Sequence, residues 1–140
     1  MTADLTCEAL FAKAIRACSS AQTLLDAGDV DGACNRAYYA MFDAARGALL
    51  ASGAPVPIAV GKTHSGLIGA FTLHLVKHGP ISREMGRLLK RAQEIRLVAD
   101  YRGSSVELDD ARQLVEQAHR FIDAICSEFP PGTLLAPGQS

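Results

Sequence analysis

The chain has 140 residues, of which 49% are hydrophobic and 21% are charged, and its formal net charge is −1. This composition excludes a disordered or fibrous chain and fits a single globular domain. The near-neutral charge excludes a global attraction to nucleic acid or anionic membrane, so any such contact has to be local. No apolar run approaches the ~18 residues of a membrane span, and the start lacks a basic signal region, which together predict a cytoplasmic protein.

Helix-favouring residues fill most of the chain, and clusters of Gly and Pro divide it into segments. Apolar residues such as Ala9, Ala12 and Ile15 recur near helical spacing in the first segment. The predicted helices span about residues 4–27, 29–52, 63–78, 82–101 and 108–128. The sequence therefore predicts an all-α domain of five helices over residues 1–128, followed by a flexible tail at 129–140 that is rich in Pro and Gly.

The second helix is predicted to lie at the centre of the fold. Alanines form a smooth ridge along it, and Tyr38, Phe42 and other apolar residues widen its apolar arc past half of the circumference. The polar strip that remains is predicted to face water or a partner, and it holds Asn35, Arg36, Tyr39, Asp43 and Arg46. This strip is the first candidate site.

The fourth helix carries an arginine, Arg96, in the middle of its apolar stripe. A guanidinium cannot lose its proton, and an unpaired buried charge is costly, so an anion or a set of acceptors has to lie within reach. Asp100, one helical turn further on, is the nearest candidate, and Asp43 is the alternative. A packing ion pair and a functional arginine both satisfy this requirement.

The opposite face of the fourth helix is basic. Arg83, Arg87, Lys90 and Arg91, with Arg102 just beyond the helix, form a strip with few acids. Such a strip attracts phosphate locally, although an ordinary solvated face has the same composition.

Cysteine and histidine spacing predicts no metal site. The four cysteines lack the close pairing of a metal knuckle or redox motif, which indicates reduced thiols. His74 and His78 have a spacing that can hold a metal, but neither a carboxylate nor a thiol accompanies them in their helix.

Three segments, in order, resemble one known family. Residues 35–46, NRAYYAMFDAAR, are similar to the second-helix signature of a HEPN subfamily, and residues 62–66 and 96–101 match segments that open the third helix and close the fourth. The resemblance covers roughly residues 5–128. It implies a five-helix HEPN-like up-and-down bundle that commonly forms two-fold homodimers and is often encoded beside a minimal nucleotidyltransferase as a toxin–antitoxin pair.

Catalytic HEPN proteins are metal-independent ribonucleases whose site lies at the dimer cleft. Their signature is an arginine, a polar neighbour, and a histidine four to six residues after the arginine. This sequence has Arg96, but Leu97 replaces the polar neighbour, and Asp100 with Tyr101 stands about where the histidine is expected. A carboxylate beside an arginine is a poor general acid near neutral pH, because the opposite charge pulls its pKa down. The departure leaves RNA cleavage as an open question.

Two other histidines bear on this question. Arg112 and His119 satisfy a similar spacing, but they lie in the wrong segment for the family and are interpreted as a surface coincidence. His64 lies in a matched segment, where it either caps the third helix or completes a polar cluster with Arg36, Tyr39 and Arg96.

The sequence therefore gives two overlapping sets of candidate residues. The candidate catalytic residues are Arg96, Asp100, Tyr101 and His64, and the candidate nucleotide- or RNA-binding residues are Arg36, Tyr39, Asp43, Arg96 and Tyr101. The favoured hypothesis is a homodimer that binds nucleotide or RNA without a metal or other cofactor and works with a nucleotidyltransferase in a toxin–antitoxin-type system. One alternative is a metal-independent ribonuclease toxin in which His64 or a residue of the second subunit replaces the missing histidine. The other is a purely structural dimerisation module.

Overall fold

The computed structural model describes residues 6–57, 63–101 and 106–130, with the backbone alone at 99–101. Over these residues the chain forms five α-helices and no strand, which confirms the predicted all-α fold. The helices are α1 (Cys7–Asp26), α2 (Val30–Ser52), α3 (His64–Phe71), α4 (Arg83–Tyr101) and α5 (Leu108–Glu128). None of the described helices is long and apolar enough to cross a membrane. Arg102 and the predicted tail from residue 131 onward lie outside the described residues.

A polar side chain accepts a hydrogen bond from one backbone N–H at the start of each of α1, α2, α3 and α4. Asp29 and Thr63 each accept a hydrogen bond from a backbone N–H at 2.9 Å, and Ser82 accepts one at 3.3 Å. Thr6 caps α1 in the same way at 3.0 Å, so α1 begins at Cys7 and not at residue 4 as predicted. Short polar residues before apolar runs thus located three of the helix starts correctly.

The centre of the bundle is α2, as predicted. It packs against α1 most extensively and also against α3, α4 and α5. Its alanine ridge is fully buried and consists of Ala33, Ala37, Ala40, Ala44 and Ala48. Gly47 brings α1 especially close, because a Cβ atom there would lie 2.7 Å from Cε1 of Phe11. Small residues therefore set the short distance between α1 and α2.

The apolar residues that indicated α1 do not all lie on its buried face. Ala9, Ala12 and Ile15 are exposed, and Ile15 is 52% accessible. The residues that bury this helix are Leu10, Phe11, Ala14, Ala17, Cys18 and Ala21. An alanine-rich helix has several apolar arcs of similar length, so the position of α2 selects the buried face and the spacing within α1 does not.

The predicted third helix is not α-helical throughout. After α3 the chain continues as a π-helix over Thr72–Lys77. Gly79 ends this segment in a tight reversal, where a Cβ atom would lie 2.6 Å from the backbone oxygen of His74. The Gly-Pro pair at 79–80 was therefore a correct stop signal, whereas the wider helix before it left no pattern in the sequence.

Candidate functional site

Aromatic and basic side chains from α2, α3 and α4 contact one another on one side of α2. Tyr38, Tyr39 and Phe42 come from α2, His64 is the first residue of α3, and Arg96 comes from α4. We call these five residues the aromatic–arginine cluster. Tyr38 is fully buried and Phe42 is 8% exposed, whereas the other three are half-buried. The cluster therefore has a closed side against the core and an open side toward solvent.

A hydrogen bond joins α2 to α3 at the closed side. The hydroxyl of Tyr38 lies 2.6 Å from Nδ1 of His64, and the ring of His64 lies 4.8 Å, between centroids, from that of Phe42. A buried tyrosine hydroxyl needs a polar partner, and this imidazole supplies it. The bond and the ring packing fix the orientation of His64.

Arg96 lies against the tyrosine faces of α2. Its guanidinium carbon is 5.5 Å from the ring centroid of Tyr38 and 5.5 Å from that of Tyr39. Both distances fall within the range of cation–π attraction, which is stronger where the cation has lost part of its water. The sequence predicted an anion or a set of acceptors within reach of Arg96, and the structure adds two tyrosine rings of α2 as neighbours that the sequence had not proposed as its partners.

Burial sets the protonation states within the cluster. It raises the pKa of Tyr38, an effect that the positive charge of Arg96 opposes only in part. Burial also lowers the pKa of His64, and Arg96 adds to that shift because it repels a second positive charge. At neutral pH the hydroxyl of Tyr38 is therefore protonated and the imidazole of His64 is neutral, next to the charged guanidinium of Arg96.

The predicted polar strip of α2 is less open than expected. Asp43 is 5% exposed, and Arg36 and Arg46 are half-buried. Burial raises the pKa of Asp43, against the opposing effects of Lys13, Arg46 and Arg36 in that order. The strip was predicted to face water or a partner, and Asp43 does not face water, because α1 packs along α2 and brings Lys13 toward the carboxylate.

The structure thus separates the predicted site residues into two groups. Arg96, Tyr39 and His64 come together in the aromatic–arginine cluster. Arg36 and Asp43 belong instead to a charged group with Lys13 and Arg46. The guanidinium carbon of Arg46 lies 5.9 Å from the ring centroid of Phe42, so the two groups are neighbours along α2. The side chains of Asp100 and Tyr101, two further candidates, lie outside the described residues.

Sequence reasoning missed two members of the cluster and one of the charged group. Tyr38 and Phe42 were assigned to the apolar arc of α2, and Lys13 was not considered. One signal for Tyr38 was available, because a tyrosine on a core face has a hydroxyl that needs a partner. No comparable signal existed for Lys13, whose contribution depends on the rotation of α1 about its axis.

Other polar features lie outside the cluster. Arg83, Arg87, Lys90 and Arg91 are all exposed, as expected for a basic face of α4. An open groove between the end of α1 and the start of α5 is lined by Gln22, Leu25, Asp26, Gly28, Leu108, Arg112, Glu116 and His119. Arg112 and His119 are both exposed, as expected for surface residues, and Arg112 pairs with Asp109 at 3.4 Å. Within the described part of the chain, no three His, Cys, Asp or Glu residues are grouped so as to hold a metal ion.

Comparison with known proteins assigns the chain to a family. A model of the HEPN domain matches residues 7–129. The chain belongs to the HEPN family. The match extends over all five helices, so the aromatic–arginine cluster of this HEPN protein lies within the shared domain.

Individual relatives of this HEPN protein come from bacteria and archaea. A UPF0332 protein of Gloeobacter violaceus is 36% identical over 122 residues, which are 86% of this chain and 92% of the relative. A UPF0332 protein of Thermotoga maritima is 36% identical over 107 residues, which are 75% of this chain and 76% of that protein. A protein of Methanocaldococcus jannaschii named "Putative toxin MJ0605" is 32% identical over 90 residues, 64% of this chain and 63% of the relative.

Proposed function

We propose that this HEPN protein binds nucleotide or RNA at the aromatic–arginine cluster, as a homodimer and as the toxin-side component of a system that includes a nucleotidyltransferase. The observation that carries the proposal is the position of Arg96, held between α4 and the faces of Tyr38 and Tyr39. The name of the archaeal relative supports the toxin-like part. The dimer and the nucleotidyltransferase partner are what membership of the family suggests.

The chemistry of the cluster suits a nucleotide. A guanidinium can donate two parallel hydrogen bonds to a phosphate, and a half-buried tyrosine such as Tyr39 presents a ring on which a base can stack. Arg83, Arg87 and Lys90 on the exposed face of the same helix add local positive potential. Arg96 would thus supply one specific phosphate contact, and the exposed cations of α4 would attract a polynucleotide over a longer distance and less specifically.

An exposed apolar pair supports dimerisation near the same place. Leu97 is 40% accessible and Val98 is 36% accessible, and both directly follow Arg96 in α4. Apolar side chains of this size favour contact with another protein surface over contact with water. A second copy packed there would bring the α4 helices of the two subunits together at the interface.

Binding is tested with a labelled single-stranded RNA oligonucleotide and the purified full-length protein, by fluorescence anisotropy at several salt concentrations. Arg96→Gln is expected to weaken binding about tenfold or more, because it removes a charged hydrogen-bond donor to phosphate. Arg87→Gln is the matched control, since it removes one exposed arginine from the same helix and is expected to reduce mainly the salt dependence. Equal losses for the two variants would contradict a specific role for Arg96.

Dimerisation is tested separately by light scattering after size-exclusion chromatography. Leu97→Asp is expected to shift the protein toward monomer. The same substitution at Leu73, which is 45% accessible and lies outside α4, is the control. A monomeric wild-type protein would refute the dimer without affecting the binding test.

A second candidate function is metal-independent RNA cleavage, and the position of His64 favours it. The catalytic signature of the family needs an arginine and a histidine, and here the histidine of α3 packs against the same tyrosines as Arg96. Growth arrest on expression and RNA cleavage in the presence of a chelator, both lost in His64→Ala, would establish this activity. Binding without cleavage would leave the first function.

A further inference from the structure

We propose that Tyr38 is a positioning residue that holds His64 in the tautomer with its proton on Nε2, and that this Nε2–H donates to a phosphodiester oxygen beside Arg96. The inference deepens the proposed nucleotide or RNA binding and rests on it for the identity of the ligand. It assigns a role to a buried tyrosine that sequence analysis placed in the core.

The direction of the Tyr38–His64 hydrogen bond follows from burial. Tyr38 has no accessible surface, so water cannot accept its hydroxyl proton, and among the described residues His64 is its hydrogen-bond partner. If Nδ1 carried the imidazole proton, the hydroxyl oxygen would accept it, and the hydroxyl proton would be left buried without an acceptor. The hydroxyl therefore donates to Nδ1 over 2.6 Å.

The position of the remaining imidazole proton follows from that direction. A neutral imidazole carries one N–H, and when Nδ1 accepts a hydrogen bond the proton lies on Nε2. Among the described residues, Tyr38, Tyr39 and Phe42 of α2 and Arg96 of α4 pack around the ring, and burial together with the charge of Arg96 favours its neutral form. The hydrogen bond from Tyr38 to Nδ1 therefore makes Nε2 a hydrogen-bond donor.

The Nε2–H group is available to a ligand. His64 is half-buried, its Nε2 makes no hydrogen bond to any described residue, and this atom is not among the fully buried polar atoms without a partner. A donor oriented by a bond on the opposite side of its ring is pre-organised, which reduces the entropy lost on binding.

A neutral donor beside an arginine suits a phosphodiester. Arg96 supplies the positive charge, and Nε2–H adds a directional contact without placing a second charge next to the guanidinium. In this tautomer Nε2 has no lone pair free to take a proton from a ribose hydroxyl. The resting cluster is therefore built to hold a phosphate, and the imidazole proton of His64 would have to move from Nε2 to Nδ1 before Nε2 could act as a base.

The tautomer is tested by nitrogen NMR of the full chain labelled with ¹⁵N-histidine at pH 7.5. The chain has four histidines, and the spectrum of His64→Gln identifies the resonances of His64. We expect a protonated Nε2 and an unprotonated Nδ1 shifted by its hydrogen bond, with the Nδ1 resonance moving toward its free position in Tyr38→Phe. A proton on Nδ1, an imidazolium, or a spectrum unchanged in Tyr38→Phe would overturn the positioning role.

The donor is tested with the same RNA oligonucleotide. His64→Ala is expected to weaken binding about tenfold, and His64→Gln, whose amide N–H can replace Nε2–H, to retain it within about threefold. Tyr38→Phe is expected to weaken binding severalfold with the helical circular dichroism retained. His119→Gln, at an exposed position, is the control and should bind as the wild type does. Equal binding by the wild type and His64→Ala, or equal losses for the Ala and Gln variants, would overturn the donor.

The two measurements separate this inference from the function on which it rests. Wild-type protein that binds no RNA would refute the proposed function and the ligand assigned to Nε2–H, while the NMR spectrum would still decide the role of Tyr38. Strong RNA binding that does not depend on His64 would retain the function and refute the donor.

Discussion

The close packing of α1 against α2 predicts whether a Gly→Ala substitution stabilises or destabilises the fold, and the distances around each glycine give the sign. A Cβ atom at Gly47 would lie 2.7 Å from Cε1 and 2.9 Å from Cδ1 of Phe11, and 3.3 Å from Cβ of Leu10. Phe11 is 1% exposed, so its ring cannot move aside into solvent. At Gly69, in α3, a Cβ atom would meet nothing within 4 Å. The two glycines are both helical and differ in their surroundings.

Gly→Ala has two opposing effects on the free energy of unfolding. Alanine gains about 1 kcal/mol over glycine in a helix interior, because glycine loses more backbone entropy on folding. Forcing an extra methyl into a packed core costs about 1–3 kcal/mol. Gly69→Ala is therefore expected to stabilise by up to about 1 kcal/mol, whereas Gly47→Ala is expected to destabilise by about 1–2 kcal/mol.

Thermal and urea denaturation followed by circular dichroism measure both changes. A difference of about 2 kcal/mol between the variants corresponds to roughly 6 °C in Tm for a chain of this size. Phe11→Leu removes part of the ring, so Gly47→Ala should cost less in that background than in the wild type. Similar stabilisation by both glycine substitutions would refute the close approach of α1 and α2.

Three further predictions follow from burial and charge. Burial raises the pKa of Asp43, so the charged carboxylate destabilises the fold, and Asp43→Asn should gain stability relative to wild type as the pH rises from about 4 to 7. Urea titrations across this pH range measure the gain, and Asp123→Asn, at an exposed position, is the control and should not show it. Burial raises the pKa of Cys18 and Cys34 to about 11, so at pH 8 both thiols should resist a disulfide reagent until the protein unfolds, as mass spectrometry would show. Arg96→Lys keeps the charge but loses the planar group that stacks on two tyrosines, so it should restore less than half of the RNA-binding free energy lost in Arg96→Gln.

Local signals predicted much of the fold correctly. Asp29 and Thr63 cap helices because their side chains can accept a backbone N–H, and this depends on neighbours in sequence alone. The central position of α2 followed from the width of its apolar arc. The buried face of α1 could not be found in this way, because Ile15 and Phe11 are equally apolar and only the position of α2 decides which of them is covered.

The same holds for the site, where the sequence pattern identified Arg96 and only the tertiary structure identified its neighbours. Arg96 was identified because a cation in an apolar stripe violates the usual pattern and requires an explanation. Its neighbours could not be chosen by the same argument, since both Asp100 and Asp43 were candidate partners and the rings of Tyr38 and Tyr39 were not considered for that role. Tyr38 fits an apolar arc as well as phenylalanine does, and only the 2.6 Å contact with His64 distinguishes the two.

The distribution of compensating charge indicates from which side a polynucleotide would approach the proposed site. Lys13 of α1 and Arg36 and Arg46 of α2 all act on the carboxylate of Asp43, which partly cancels their positive potential within the protein. On α4, the acid of the first turn, Glu84, already pairs with Arg120 of α5 at 3.2 Å. Apart from Glu84, α4 exposes four cations, Arg83, Arg87, Lys90 and Arg91, against one further acid whose side chain is described, Glu94. The potential that attracts phosphate should thus be concentrated along α4 and lead toward Arg96, the one position on that helix where a cation also contacts aromatic rings among the described residues.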